Sequence, residues 1–383
     1  MKRLIIAPMI VAVIPILILT GCGEESVTLR EYPDVVLIII DTIRPDHMSV
    51  NGYFRETTPV LDSLASRGTM WTRFQGQSGW TLPATATILT GLSQRAHGAG
   101  CSDGSFYGID PILPTIPHLV RRGAGYQTAA FFNLFFLNDD FGFQNGFDYF
   151  DCTEFSCNSQ PRNAEETVDD YLMWYDENRD ASEPLLSVIH FFDPHLPYCP
   201  PSPWDSMYTD PKADAVFNKH WGSMNDVLAL NQGFLEMDST QLEIMTGLYD
   251  SELAFTDNQI GRLISELGTR GTLPNTVFII IGDQGEELLD HGGFGHGHSL
   301  YQEILNVPFI MCGRGIAVGV SDEIAAHIDL LPTVLGIAGL DTPIWADGID
   351  ILKPDAERAA RFIHSSNLLW AAPDLAVVRL ENR

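Results

Sequence analysis

Val35-Val36-Leu37-Ile38-Ile39-Ile40-Asp41 is a run of six aliphatic residues closed by a carboxylate. When both alternating positions of a strand are apolar, the strand is buried on both faces, as in a parallel sheet covered by helices on either side. The pattern returns at Thr276–Ile281, closed by Gly282-Asp283, and at Leu185–Phe192, closed by Asp193-Pro194-His195. Gln127–Phe132, Val307–Met311 and Ala376–Leu380 are further strand candidates. Between them the apolar spacing turns helical. Pro59–Ser66 carries Val60, Leu61, Leu64 and Ala65, Ala164–Asn178 is acidic and amphipathic, and Thr240–Leu267 places Leu248, Leu253, Phe255, Ile260, Leu263 and Leu267 along one stretch. Strands alternating with helices predict an α/β fold with a doubly wound, mostly parallel sheet. No internal repeat is present.

Ligands of open α/β sheets bind outside the carboxyl ends of the strands. Asp41, Asp193 with His195, and Asp283 each follow a strand and are therefore expected to converge, although an Asp in that place also serves as a helix cap. Pro194–Asp238 is weakly periodic and longer than an ordinary loop, which marks it as a lid or a specificity insertion.

Composition narrows the partners. Of 383 residues, 45% are apolar and 19% charged, with 33 Gly and 23 Pro, which is globular composition. Asp and Glu number 50 against 22 Lys and Arg, a formal net charge of −28. That charge repels nucleic-acid phosphates and anionic headgroups, so nucleic acid is not an expected partner. It also supplies no general funnel for an anionic substrate, which must then be held by a local cationic device such as a metal.

Residues 1–21 read as an export signal: Lys2 and Arg3 start it, Leu4–Leu19 is apolar but broken by Pro8 and Pro15, and Leu19-Thr20-Gly21-Cys22 ends it. The two prolines and the short run argue against a spanning helix. The ending resembles the lipobox of bacterial lipoproteins, which implies a lipidated Cys22 and a protein held outside the cytoplasm on a bacterial membrane, at the periplasm or cell surface. Residues 22–33 are the expected tether, 34–345 the catalytic domain, and 346–383 a C-terminal segment completing the fold, at most a small subdomain. Of the five other cysteines, Cys152 and Cys157 are spaced for a small disulfide loop, which an oxidising compartment permits. There is no CxxC pair, and a structural zinc site is not expected.

Four segments carry the chemistry: Asp41-Thr42-Ile43-Arg44-Pro45-Asp46-His47; Trp80-Thr81-Leu82-Pro83-Ala84-Thr85 running on to Thr90-Gly91; His190-Phe191-Phe192-Asp193-Pro194-His195-Leu196-Pro197-Tyr198; and Gly282-Asp283-Gln284-Gly285-Glu286-Glu287 leading through His291, His296 and His298 to Tyr301. In this order they resemble the sulfatase family of the alkaline-phosphatase superfamily. Thr58-Pro59-Val60-Leu61-Asp62, Gly125-Tyr126-Gln127-Thr128-Ala129 and Ile328-Asp329-Leu330-Leu331-Pro332-Thr333 support the likeness, which extends over about residues 34–340. It implies an alkaline-phosphatase-like fold and a metal-dependent hydrolase of sulfuric or phosphoric esters.

The residues read the same way. Thr81 stands just before Pro83 and an apolar stretch, which describes a helix N-terminus. Free N–H groups and the helix dipole there favour a tetrahedral anion, and a hydroxyl so placed can attack sulfur or phosphorus once a metal lowers its pKa. Asp41 and Asp283 are the expected metal ligands, with Gln284 as a weaker third. An amide oxygen suits a hard ion, so Ca²⁺ is favoured, with Mg²⁺ or Mn²⁺ as alternatives. The resemblance places at His195 a histidine that contacts the anion or protonates the leaving group. It also puts His296 or His298 where many relatives carry a substrate-binding Lys, and Asn133 in a substrate-binding region.

The departures from the family pattern are chemical. Sulfatases that use formylglycine need Cys or Ser at the Thr81 position and Arg at the Thr85 position, so no formylglycine is expected here. Gln284 replaces the usual Asn or His, Thr42 replaces a second Asp, and the Gly-Lys-x-His segment is missing, with Phe131-Phe132-Asn133 in that region. An unmodified Thr forms a covalent ester that water must cleave, which shifts weight toward phosphorus substrates. A catalytically silent protein that kept the fold for binding, and a phosphotransferase or phosphodiesterase acting on an envelope or extracellular substrate, are the alternatives.

Overall fold

The computed structural model describes residues 29–152, 161–210, 212, 216–218, 220–353, 362–367 and 375–380. The export signal and Cys22 lie outside them, as does Cys157. Among the described residues, no helix is long and apolar enough to cross a membrane.

The eight strands of the main sheet are β1 Asp34–Ile40, β2 Gly68–Trp71, β3 Gln127–Phe132, β4 Tyr149–Cys152, β5 Leu185–Phe191, β6 Thr276–Gly282, β7 Phe309–Gly313 and β8 Gly319–Ser321. Their spatial order is β8-β2-β7-β6-β1-β5-β3-β4. From β6 across to β4 every pairing is parallel, whereas β7 runs antiparallel to both β6 and β2. The expected mostly parallel sheet is thus present, with an antiparallel strand toward one edge. The Val307–Met311 candidate begins two residues later than expected because Pro308 cannot donate to the ladder.

Pleating divides β1 between two layers. Val35, Leu37 and Ile39 pack with Leu82, Ile88 and Leu89 of α2 (Thr81–Thr90), with α3 (Ile116–Ala124), and with Leu331 and Val334 of a helix at Leu330–Ile337. Val36, Ile38 and Ile40 pack with α1 (Pro59–Ser66), α4 (Ala164–Asn178) and the 31-residue Ser239–Thr269 helix. The latter two helices start on capping boxes. Asn163 pairs with Glu166, and Asp238 accepts from the Thr240 and Gln241 N–H groups, answering donors that a helix start leaves unpaired.

The Pro194–Asp238 insertion has more order than its weak periodicity predicts. It contains α5 (Met224–Asn231), capped by Ser223 and Asp226, and it builds a small separate core from Leu196, Tyr198, Phe217, Trp221 and Leu230 against Leu248, Leu288 and Phe294. We number the two later helices α6 (Ser239–Thr269) and α7 (Leu330–Ile337). The C-terminal strand runs over Leu375–Leu380 and pairs antiparallel with Phe362–Asn367. Ser366 N donates to Gln77 O at 3.0 Å and Ser365 Oγ to Gly76 O at 2.8 Å, so this hairpin docks on the segment that leads into α2.

Candidate active site

The three central strands end side by side. In the β6-β1-β5 register Ile40 is opposite both Gly282 and Phe191, and Ile39 is opposite His190. The residues that follow therefore share one edge. Asp41 N donates to Phe191 O at 3.0 Å, and Asp41 and Asp283 are both fully buried. Thr42 has φ 52, a left-handed conformation that costs a β-branched residue energy. That turn aims the Thr42 N–H at Asp283 Oδ1, 3.3 Å away.

Thr81 opens α2 as its first helical residue. Trp80, in extended conformation, occupies the cap position, which leaves the Thr81 side chain uncommitted to capping. Its Oγ1 lies 3.4 and 3.5 Å from the two Asp41 oxygens and accepts from Gln284 Nε2 at 3.1 Å. The same amide nitrogen donates to Asp41 Oδ1 at 2.7 Å. Gln284 thereby ties the hydroxyl to the carboxylate, and its Oε1 is buried without a partner.

Gly285 makes this loop possible. A Cβ there would stand 1.8 Å from Glu303 O, while its N–H donates to Ile304 O at 2.8 Å. Only glycine allows that approach. Arg44 fastens the facing loop, donating to Glu286 O at 3.0 Å and pairing with Asp290 and Asp46 at 2.7 Å each.

The histidines sort themselves by partner. His296 Nδ1 is 2.8 Å from Glu286 Oε1, and its ring stands edge-on to His195 with centroids 4.8 Å apart. His195 stacks on Phe192 and points Nδ1 at Leu196 O. His298 turns away, with Nε2 3.0 Å from Glu287 Oε2. Of the two candidates for the cationic position, His296 is the one beside His195. Asn133 is fully buried and its amide serves the fold. It donates to Thr167 Oγ1 at 2.9 Å and to His190 O, and accepts from Arg162 Nε at 2.9 Å. Its amide thus braces β3, α4 and β5.

Charge follows burial and neighbours. Burial opposes the Asp41 carboxylate, but His195 and His190 outweigh it and hold its pKa below the ordinary value. Burial, and then the Asp41 charge, push Asp283 well above the carboxylate range. Two buried carboxylates side by side cannot both stay charged unless a cation is taken up; otherwise one holds a proton. Burial likewise lowers His195. His296 moves the other way: burial disfavours its imidazolium, but the Glu286 carboxylate overrides that and raises it.

His190 was not singled out from the sequence. It is a histidine inside an otherwise apolar strand, fully buried, and Asp41, His190 and Asp283 present ligand atoms that all lie within 4.8 Å of one another. The interruption of the Leu185–Phe191 run was the available signal.

The profile of the sulfatase family matches residues 33–340. An arylsulfatase of Clostridium perfringens is 25% identical over 384 residues, covering 85% of this chain and 79% of that protein. Human N-acetylglucosamine-6-sulfatase is 26% identical, covering 96% and 71%. Among solved structures, a complex with the substrate D-glucosamine-2-N,6-O-disulfate superposes with a TM-score of 0.72 at 20% identity, covering 91% of this chain and 87% of the other. The phosphonate monoester hydrolase of Agrobacterium radiobacter superposes at 0.71 with 21% identity, covering 91% and 85%.

Proposed function

Since the chain belongs to the sulfatase family, we propose that it is a metal-dependent hydrolase that cleaves a sulfate or phosphate ester with unmodified Thr81 as nucleophile. The observation that carries this reading is the Thr81 hydroxyl, set at the start of α2 within 3.4 Å of Asp41 and 3.1 Å of Gln284 Nε2, beside Asp283. Relatives that include arylsulfatases support sulfate. A plain threonine supports phosphorus, because no formylglycine hydrate can expel the sulfate.

The residues suit a divalent cation. Asp283 Oδ2 and Gln284 Oε1 are buried without partners, and among the described residues no Lys or Arg reaches either aspartate. Asp41 and Asp283 would hold the ion, with Gln284 as a further oxygen donor. When bound, it supplies charge that lowers the pKa of a nearby hydroxyl and neutralises ester oxygens.

The chain's own groups do the rest. The Thr81 oxygen attacks sulfur or phosphorus and its proton passes to a base. His195 fits the role of base: burial favours its neutral form, and with Nδ1–H turned to Leu196 O its Nε2 is the acceptor. The bond to the alcohol oxygen breaks, and His296, kept protonated by Glu286, gives that oxygen a proton. Water then attacks the threonyl ester, losing a proton to the histidine pair, and Thr81 leaves with its hydroxyl restored. The leaving-group proton, assigned to His195 from sequence, thus passes to His296 in this reading.

Turnover of paired nitrophenyl sulfate, phosphate and phosphodiester substrates, each with Ca²⁺, Mg²⁺, Mn²⁺ and Zn²⁺, tests the proposal. Hydrolysis of one class with a metal supports it. Failure of every pair, together with purification free of stoichiometric metal, favours a silent binding protein. We also propose that Cys22 is lipidated and tethers the protein outside the cytoplasm, supported by the Leu19-Thr20-Gly21-Cys22 ending. Detergent phase partitioning should move wild type, but not Cys22→Ser, into the detergent phase.

A further inference from the structure

His190 sits in the middle of the sheet with nothing to bond. It is fully buried in β5, and neither ring nitrogen has a hydrogen-bond partner. Buried polar groups are nearly always satisfied, because one left unpaired forfeits the water bonds it gave up on folding. An imidazole with two orphan nitrogens between β1 and β3 is therefore unexplained by packing. Its Nε2 faces Asp41 Oδ2 at 3.5 Å, too far and too poorly directed for a hydrogen bond.

The neighbouring carboxylates are arranged to match. Asp283 Oδ1 accepts the Gln284 and Thr42 N–H groups at 2.7 and 3.3 Å, while Oδ2 has no partner. Asp41 Oδ1 accepts from Gln284 Nε2, which leaves Oδ2 on the His190 side. Ligand atoms of His190, Asp41 and Asp283, on three adjacent strand ends, thus lie within 4.8 Å of one another, and among the described residues no Lys or Arg reaches them. An imidazole nitrogen among carboxylate oxygens changes the chemistry of such a set. Ca²⁺ takes six to eight oxygens, and Thr42 offers no second carboxylate. Mn²⁺ and Zn²⁺ accept imidazole readily and need fewer ligands.

We propose that His190 is a nitrogen ligand of the catalytic cation, so that the site is an Asp/Asp/His centre selective for a transition ion such as Mn²⁺ or Zn²⁺ over Ca²⁺. This rests on the metal-dependent reading above and revises the ion that the oxygen donors alone suggest.

Pulsed electron paramagnetic resonance of the Mn²⁺-loaded protein reads the ligand directly, because a bound imidazole gives a ¹⁴N coupling. The coupling should be present in wild type and in His195→Asn and His296→Asn, and absent in His190→Asn. Calorimetric titration should show Mn²⁺ binding at least tenfold weaker in His190→Asn, with Ca²⁺ binding little changed. If His190→Asn does not fold, the signal in a His195→Asn/His296→Asn double variant decides, since it removes the other imidazoles beside Asp41. Stoichiometric Mn²⁺ with no ¹⁴N coupling in wild type, or a coupling that survives His190→Asn, overturns the inference and leaves the hydrolase reading standing. Failure to bind any divalent cation overturns both.

Discussion

Glu286 grips His296 by the ring's Nδ1 at 2.8 Å, while its other oxygen accepts the Tyr198 hydroxyl at 3.2 Å and its backbone carbonyl accepts Arg44. Glu286 is fully buried, so its charge acts at low dielectric on the one imidazole it touches. That contact favours the charged form of His296 over the neutral one.

That pairing sets a pH dependence. On the proposed mechanism, activity needs His195 neutral and His296 protonated. Burial lowers His195, so the acid limb of the rate profile lies below the ordinary histidine range. Glu286 raises His296, so the alkaline limb lies above it. Glu286→Gln should pull the alkaline limb toward lower pH. It should move the acid limb less, since Glu286 is a minor influence on His195. His296→Ala should lower kcat by about 10²–10⁴-fold. A pH–rate profile of wild type and Glu286→Gln is the check, and an unmoved alkaline limb removes His296 as the acid.

A second titration belongs to the fold. His97 is buried, accepts the Ala99 N–H on Nδ1 at 3.0 Å, and meets Thr87 Oγ1 with Nε2 at 3.0 Å. A second ring proton would have to face the Ala99 N–H. Burial pushes this imidazole down to about 4. The unfolded chain therefore binds the extra proton first, near the ordinary value of about 6.5. Stability is unpenalised above that pH, falls as pH drops, and levels off below about 4, with a loss of order 3 kcal/mol. His97→Gln should flatten the slope of Tm against pH in this window relative to wild type. Equal slopes would show that His97 does not titrate there.

Much of this was legible from residues alone. The five strand candidates from Val35–Ile40 to Val307–Met311 became strands of the main sheet because full burial leaves a strand little polar face. Pro59–Ser66 and Ala164–Asn178 were bounded by Pro at a first turn and by a capping pair, which act locally. The site was less legible where tertiary contacts decide. His296 and His298 are two residues apart, and only the position of Glu286, brought in by the turn at Gly285, separates them. Asn133 is a polar residue after a strand, the pattern that marked Asp41 and Asp283, but Arg162 and Thr167 claim it from another element. His190 was hidden because a single histidine in a strand is ordinarily a packing residue. Its lack of partners is visible only in three dimensions.

Gly285 separates loop shape from loop chemistry. Any side chain there collides with the Glu303 carbonyl, so Gly285→Ala must push the 283–286 turn away from the Gln302–Leu305 helix. Stability should fall by about 1–3 kcal/mol. Displacing Gln284 and Glu286 should also reduce kcat by more than the fraction of unfolded protein explains. Calorimetry and turnover of the same preparation test this. A destabilised variant with full kcat per folded molecule would show that the turn need not be rigid.

On the proposed mechanism Thr81 carries the reaction itself. The start of α2 puts its hydroxyl where the helix dipole favours an anion, and Trp80 takes the capping position, so the oxygen is not tied to the backbone. Asp41 and Gln284 fix it from the sheet side. Thr81→Ala should lower kcat by at least about 10³-fold, because removing a nucleophile discards the covalent route entirely. The fold and metal content should be nearly unchanged, since alanine suits a helix and Gln284 keeps its own hydrogen bond to Asp41. Thr81→Ser should keep part of the activity, because it keeps the hydroxyl and loses one methyl. The mass of the peptide containing Thr81 should show the unmodified side chain, and quenching during turnover should trap it carrying the sulfuryl or phosphoryl group. Full turnover by Thr81→Ala would leave direct attack by water as the only route, and the threonine would then be a binding residue.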